Sequence, residues 1–124
     1  MNKVKRSDIL DYVTYTEQRA ELQKKIFKIK EVRRIHVGEY LTFLFENTAT
    51  VHYQIQEIMR VERMVKEQDI LHEIESNNQL LGNPGELGCV LRPAFEGRGF
   101  MTEAMRAAID FGWQQMKLQH IIAI

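Results

Sequence analysis

Residues 85–124 have the sequence GELGCVLRPAFEGRGFMTEAMRAAIDFGWQQMKLQHIIAI, in which two apolar runs flank an amphipathic stretch. The run LGCVLR (residues 87–92) predicts a buried strand, and HIIAI (residues 120–124) predicts a second strand. Between them, apolar residues recur at helical spacing from Met101 onward and predict a helix. A strand, a helix and a strand in this order predict a β-α-β unit whose two strands lie parallel.

Gly97 and Gly99 lie immediately before this predicted helix. At such a position free backbone N–H groups and the positive end of the helix dipole attract anions. Glycine has no side chain that would keep a pyrophosphate away from these amides. The pattern allows a phosphate-holding turn or an ordinary connection from strand to helix, and two glycines by themselves favour the connection.

The same residues resemble the central segment of GNAT N-acetyltransferases, most closely the branch that modifies ribosomal-protein N-termini. The strand LGCVLRP, the spaced glycines and Glu103 fall in register with that family. The resemblance implies that acetyl-CoA is the cofactor and that main-chain groups of Val90 and Leu91 pair with its pantetheine arm. It implies that the pyrophosphate is bound by the backbone amides of Gly97, Arg98, Gly99, Phe100 and Met101.

The chain departs from that family at two positions, and at one of them Met101 replaces the usual small residue. Glu96 stands where the family commonly has Gln or Arg, and its carboxylate would repel a phosphate if it pointed inward. The family also has strands before this segment and a further helix after it, whereas this chain ends at Ile124. The resemblance therefore predicts a truncated acetyltransferase that keeps cofactor binding. No catalytic residue is predicted, and the acceptor would be an amine on a small molecule or a protein.

Residues 3–82 resemble a different family, a bacterial family of unknown function. The most specific element is YQIQEIMRVER (residues 53–63), and the resemblance stops near Leu81. It implies no activity and no site. Together the two resemblances predict a chain joined from two families between Leu81 and Gly85, with segments 1–82 and 83–124 packed as one domain.

Before residue 82 the hydrophobic pattern predicts three main helices and one hairpin, so the predicted fold class is α+β. Leu22, Ile26 and Ile29 predict a long amphipathic helix from Thr16 to about Lys30. RRIHV and YLTFLFEN then alternate, and the two residues Gly38 and Glu39 between them suit a hairpin turn. Thr48 or Thr50 is the expected cap of the next helix. The remaining predicted inward positions are Val51, Ile55, Ile58, Met59, Glu62, Val65, Ile70, Leu71 and Ile74.

Two further predictions concern charged residues in this part of the chain. Glu62 falls on the apolar stripe of its helix, where an unpaired charge is costly, so a basic partner such as Arg33, Arg34 or Arg63 is expected. The carboxylates and histidines that could bind iron or zinc are His52, Glu57, Glu62, His72 and Glu73. A di-iron bundle needs Glu-x-x-His on each of two helices, and the sequence has none. Salt-bridged helix faces are therefore predicted instead of a metal site, with Glu57 paired to Arg60.

Composition sets the class of protein. The 124 residues are 44% apolar and 27% charged, with 17 acidic and 17 basic side chains, which is typical of one soluble domain. A net charge of zero gives no field that would attract nucleic acid or a membrane surface. The N-terminus lacks the apolar core of a signal peptide, so a cytoplasmic location is expected. Cys89 is the only cysteine, which excludes an internal disulfide.

Two functions remain open from the sequence. The first is the acetyl-CoA-dependent N-acetyltransferase remnant. The second is a non-enzymatic small α+β protein that acts through self-association or protein binding. Unpaired edges at the hairpin and at HIIAI, together with apolar helix faces, would recruit a second copy, so a homodimer is predicted. Phe111 and Trp113 are expected as core or dimer contacts. Cofactor binding discriminates between the two functions.

Overall fold

The computed structural model describes residues 2–37, 39, 41–83, 86–89, 99–115, 117 and 120–123. The chain divides into two compact units, Met1–Leu81 and Gly82–Ile124. Helices and short strands occur in both units, which confirms the predicted α+β class. No helix in the described ranges is long and apolar enough to cross a membrane.

The first unit is mostly helical. Its elements are a 3-10 turn at Arg6–Asp8, helix α1 at Tyr12–Arg33, strands β1 at Arg34–Val37 and β2 at Leu41–Leu44, helix α2 at Thr48–Val61, helix α3 at Glu67–Asn78 and a 3-10 turn at Gln79–Leu81. Helix α1 begins about one turn earlier than predicted, because the Asp11 carboxylate caps it by accepting the Thr14 N–H at 3.0 Å.

Strands β1 and β2 form the predicted antiparallel hairpin. Ile35 pairs with Phe43, and Val37 pairs with Leu41. Three residues, 38–40, lie between the last paired positions, so the predicted two-residue turn is wrong; Gly38 is outside the described residues. The Arg33 guanidinium donates to the carbonyl groups of Phe45 and Glu46, which ties the exit of β2 to the last turn of α1.

Helix α2 is capped by Asn47 and not by either threonine that the sequence predicted. The Asn47 side chain accepts the Thr50 N–H at 2.9 Å, and the Thr50 hydroxyl accepts the Asn47 N–H at 2.8 Å. Asparagine and threonine both favour helix N-termini, and in this reciprocal capping box Asn47 is the N-cap and Thr50 is the third residue of the helix. The threonine therefore lies inside the helix as the third residue.

The core of this unit lies between α2, α3 and the N-terminal segment. Its buried members are Val4, Ile9, Val51, Ile55, Ile70, Ile74 and Leu81. The predicted inward positions are confirmed for Val51, Ile55, Ile70 and Ile74, but Leu71 is 47% exposed. Apolar residues at helical spacing on α2 and α3 thus meet in one cluster.

Helix α2 ends earlier than the apolar pattern suggested. Its last residue is Val61, and Arg63 takes a positive φ of 51° that turns the chain away. Glu62 is therefore exposed and needs no buried partner, and Val65 is 85% exposed. The expectation of a basic partner for Glu62 is wrong because the helical spacing on which it rested stops one residue before it.

Two amide side chains, one buried (Gln56) and one half-buried (Asn78), hold the N-terminal segment against the helices. Asn78 accepts the Val4 N–H at 2.8 Å and donates to the Val4 carbonyl at 2.9 Å. Gln56 accepts the Leu10 N–H at 2.6 Å and donates to the Leu10 carbonyl at 3.3 Å. Each amide satisfies both polar groups of one backbone residue, as a neighbouring strand would do.

The second unit contains strand β3 at Glu86–Cys89, helix α4 at Phe100–Gln114 and strand β4 at His120–Ala123. Strand β3 pairs with β4 in parallel, with Glu86 opposite His120, which confirms the predicted β-α-β order. On α4, Phe111 and Trp113 are 56% and 45% exposed, so neither is a core contact, and the alternative that they are dimer contacts stays a prediction.

Candidate functional site

A cluster of polar side chains joins α1 to α2 around Glu57. The Tyr15 hydroxyl donates to Glu57 Oε1 at 2.7 Å, and Arg19 donates to both carboxylate oxygens at 2.7 and 3.0 Å. Arg60, three residues further along α2, lies 3.3 Å from Glu57 Oε2. The predicted pair of Glu57 with Arg60 is thus confirmed, as one part of a larger cluster.

The donors around Glu57 set its protonation state. Hydrogen bonds, first from Arg19 and then from Tyr15 and Arg60, lower the pKa of Glu57 to about 2 against the opposing effect of burial. Burial, with the adjacent carboxylate, raises the pKa of the Tyr15 phenol. The carboxylate is therefore ionised and the phenol protonated throughout the neutral range. Neither is poised to exchange a proton, which general acid–base catalysis requires, so the cluster connects two helices.

Beside this cluster, α1 and α2 leave an open groove of about 170 Å³. Its buried part is lined by Tyr15 and Ile26 of α1 and by Tyr53 of α2. Its half-buried part is lined by Leu22 and Ile29, which also lie on α1. The surface inside the groove is predominantly apolar. Such a concave apolar surface suits a hydrophobic group of a ligand or of another chain.

Among the described residues that line the groove, Lys25 is the only one with a formal charge. Lys25 and His52 line it, and Lys30 Nζ lies 6.0 Å from the centroid of the Tyr53 ring. None of the described residues that line the groove is acidic. His52 Nε2 lies 2.7 Å from the Asp8 carbonyl, and because a carbonyl only accepts, this nitrogen carries a hydrogen. The rim of the groove thus favours an acidic partner.

A stripe on α1 continues the groove beyond α2. Leu22, Lys25, Ile29 and Val32 recur at intervals of three, four and three residues and share one side of the helix. We call these four residues the α1 ridge. Leu22 and Ile29 are half-buried, Lys25 is exposed, and Val32 is 83% exposed. The ridge therefore presents apolar surface that this chain leaves open to solvent.

Helix α1 also differs from the one-sided amphipathic helix that the sequence predicted. Tyr12, Val13 and Phe27 are exposed on sides of the helix other than the ridge. Apolar residues thus surround the helix instead of forming a single buried stripe.

The predicted cofactor residues lie mostly outside the described part of the chain. Val90, Leu91, Gly97 and Arg98 belong to the residues that the structure does not describe. The backbones of Gly99, Phe100 and Met101 are described. Gly99 precedes the first residue of α4 and has a φ of 76°, and the other two form the first turn of the helix. The described portion of the predicted site is thus the N-terminus of α4, with Gly99 as its N-cap residue.

Three of the five residues considered as metal ligands have other contacts. Arginine donors surround Glu57, His52 binds a backbone carbonyl, and Glu73 accepts from the Asn77 amide. Among the described residues, no group of three or more His, Cys, Asp or Glu side chains is arranged to hold a metal ion.

Sequence reasoning missed the Glu57 cluster and the full extent of the ridge. Tyr15 and Glu57 are 42 positions apart, and no local spacing indicates such a contact. The ridge could have been predicted from the sequence, because Val32 follows Leu22 and Ile29 at helical spacing. It was overlooked because the predicted helix stopped at about Lys30.

Comparison with known proteins gives a family and a similar fold. The family described as "Protein of unknown function (DUF3501)" matches residues 3–110. No curated protein matches the chain. A solved structure of a novel protein of unknown function from Burkholderia pseudomallei K96243 is similar, with 26% identity and a TM-score of 0.63. The similarity covers 66% of this chain and 42% of that one, so this chain spans less than half the length of that protein.

The family match corrects one boundary drawn from the sequence. It extends to residue 110, so the predicted end of the family resemblance near Leu81 is wrong. Residues 85–110 lie within the same match as the helical part, and these similarities lend no support to an acetyltransferase segment. The Gly-, Pro- and Asn-rich stretch around residue 83 divides two compact units. A boundary between units was thus taken for a boundary between families.

Proposed function

This chain belongs to the DUF3501 family, whose function is unknown, and we propose that it is a non-enzymatic protein that self-associates through the α1 ridge and the adjoining groove. The observation that carries the proposal is Val32, an apolar side chain that is 83% exposed at the end of a ridge leading into an apolar groove. Burying one such side chain contributes about 1.5–3 kcal/mol.

The dimensions and chemistry of α1 support this proposal. At about 1.5 Å per residue, its 22 residues extend for roughly 33 Å, enough to span one side of a standard protein interface. The Glu57 carboxylate, whose pKa is strongly lowered, already accepts hydrogen bonds from Tyr15, Arg19 and Arg60. This favours a structural role over a catalytic one.

Replacement of Val32 by glutamate is expected to weaken self-association about tenfold or more, because a carboxylate would enter an apolar contact. Sedimentation velocity over a range of protein concentrations measures the effect. Thr16→Glu is the matched control, since it adds the same charge at an exposed position on the opposite side of α1. Equal association of wild type and the Val32 variant, or a wild type that stays monomeric at every concentration, would contradict the proposal.

Acetyl-CoA binding by the second unit is a second candidate function, and Gly99 favours it. This glycine joins the residues after β3 to α4 in a left-handed conformation, and a Cβ placed there would meet no described atom within 4 Å. The first N–H groups of α4 therefore begin beside a residue without a side chain, which is the arrangement that admits a phosphate.

Calorimetric titration with acetyl-CoA tests this second candidate. Gly99→Asp is expected to weaken binding about tenfold, because its carboxylate would repel the pyrophosphate. Gly99→Asn is the matched control, since asparagine has the same size, also tolerates a positive φ and carries no charge. Absence of heat with the wild type, or unchanged binding by Gly99→Asp, would exclude a phosphate site at this turn.

A further inference from the structure

Opposite charges are concentrated on two helices of the first unit. The basic residues in positions 22–34 are Lys24, Lys25, Lys28, Lys30, Arg33 and Arg34, against the single acidic residue Glu31. Helix α3 contains Glu67, Asp69, Glu73 and Glu75 and no lysine or arginine. The whole chain has a net charge of zero, so these helices are local concentrations of opposite sign.

Part of this charge is not neutralised within one copy. Lys24 pairs with Glu21, and Arg6 pairs with Glu67. Over the described ranges, neither Lys25 nor Glu75 takes part in a salt bridge. The basic rim of the groove and the acidic side of α3 thus retain charge available to another chain.

The exposed side of α3 combines this charge with an apolar residue. Ile70 and Ile74 are buried against the core, whereas Leu71 is 47% exposed. Glu67 precedes Leu71 by four residues and Glu75 follows it by four, so all three lie on one side of the helix. We call these three residues the α3 face, which places a leucine between two carboxylates.

We propose that the α3 face of one copy docks on the α1 ridge and groove of a second copy. Leu71 enters the groove, and Glu75 lies against the basic rim at Lys25. The inference rests on the proposed self-association and names the surface that meets the ridge. An apolar cavity of about 150 Å³ accommodates benzene, so a groove of about 170 Å³ has room for a leucine side chain. Glu67 is paired with Arg6, so it is Glu75 that provides the acidic group beside the leucine and matches Lys25 at the groove.

The two surfaces differ, so each contact pairs the groove of one copy with the α3 face of another. Each copy offers one groove and one α3 face. A closed dimer contains the contact twice, and an open series contains it once at each junction. Charge reversal affects both arrangements in the same way, which makes it a direct test of the contact.

Lys25→Glu and Glu75→Lys are each expected to weaken self-association about tenfold in sedimentation velocity at low ionic strength. An equimolar mixture of the two variants is expected to recover association to within roughly threefold of wild type. In the mixture, the unaltered groove of one variant meets the unaltered α3 face of the other, and in the second contact the two reversed charges face each other. Lys3→Glu, a reversal at an exposed N-terminal lysine, is expected to change nothing.

The outcomes separate this inference from the proposed function. If the mixture fails to recover while Val32→Glu still abolishes association, docking of the α3 face is overturned and self-association through the ridge stands. If the wild type is monomeric at every concentration, both are overturned. Unchanged far-ultraviolet circular dichroism of each variant establishes that a loss of association does not come from unfolding.

Discussion

Replacement of Ile55 by alanine is expected to lower the free energy of unfolding by about 2–5 kcal/mol. Ile55 is fully buried in the middle of α2, where it belongs to the same apolar cluster as Ile70 and Ile74. Truncation removes buried methyl groups and leaves a cavity that helices on two sides cannot close completely. This loss is a large part of the stability of a small domain.

Urea unfolding of the full chain, followed by circular dichroism, measures this change. Ile55→Val removes one methylene and is expected to cost about 0.5–1.5 kcal/mol. Val61→Ala is the matched control on the same helix, because Val61 is 67% exposed and its truncation is expected to change stability by at most about 0.5 kcal/mol. Similar losses at positions 55 and 61 would show that the core does not lie where the structure places it.

Glu57→Ala is expected to lower the free energy of unfolding by about 2–3 kcal/mol, through the loss of acceptors for Tyr15 and Arg19. The Tyr15 side chain is 1% exposed, so its hydroxyl would remain buried without its carboxylate partner. The Arg19 side chain is 32% exposed and regains water, which limits its share of the loss. Glu21→Ala, which removes an exposed pair with Lys24, is the matched control and is expected to cost almost nothing.

The same cluster predicts how stability depends on pH. The pKa of Glu57 is about 2 in the folded chain against an ordinary value of 4.5. Its contribution is therefore fully present above pH 4.5 and is lost as the pH falls from 4.5 towards 2. Glu57→Gln is expected to show a smaller loss of stability between pH 7 and pH 3 than the wild type. Tyr15→Phe retains the carboxylate and its arginines, so it is expected to keep most of that loss. Identical losses in the wild type and Glu57→Gln would exclude Glu57 as the titrating group.

Local spacing was sufficient to predict much of the fold. Ile70 and Ile74 recur at helical spacing and are buried, and the apolar runs on either side of α4 become parallel strands. Spacing failed where the chain changes direction. The apolar series used to predict α2 runs on through Glu62, although the helix ends at Val61. A periodic pattern in the sequence does not show the positive φ at Arg63, where the backbone turns.

The candidate site was harder to predict because it depends on contacts between distant residues. The groove forms only when α1 packs on α2, which brings Leu22 within reach of His52 and Tyr53. The basic character of α1 and the acidic character of α3 are visible in the sequence, but composition averaged over the chain gives zero and hides both. Helix faces and their charges therefore needed the packed structure.

The clamp between Asn78 and the backbone of Val4 bears on how the chain folds during synthesis. These residues are 74 positions apart, and the core around Val4 also includes Leu81. Within this unit the segment that contains Val4 is synthesised first, whereas its partners Asn78 and Leu81 are among the last residues of the unit to be synthesised. Val4 and Ile9 therefore cannot be fully buried in this core until Leu81 has been synthesised. Contacts of such long sequence separation slow folding, so the segment of this unit that is made first reaches its place only after the rest of the unit has been made.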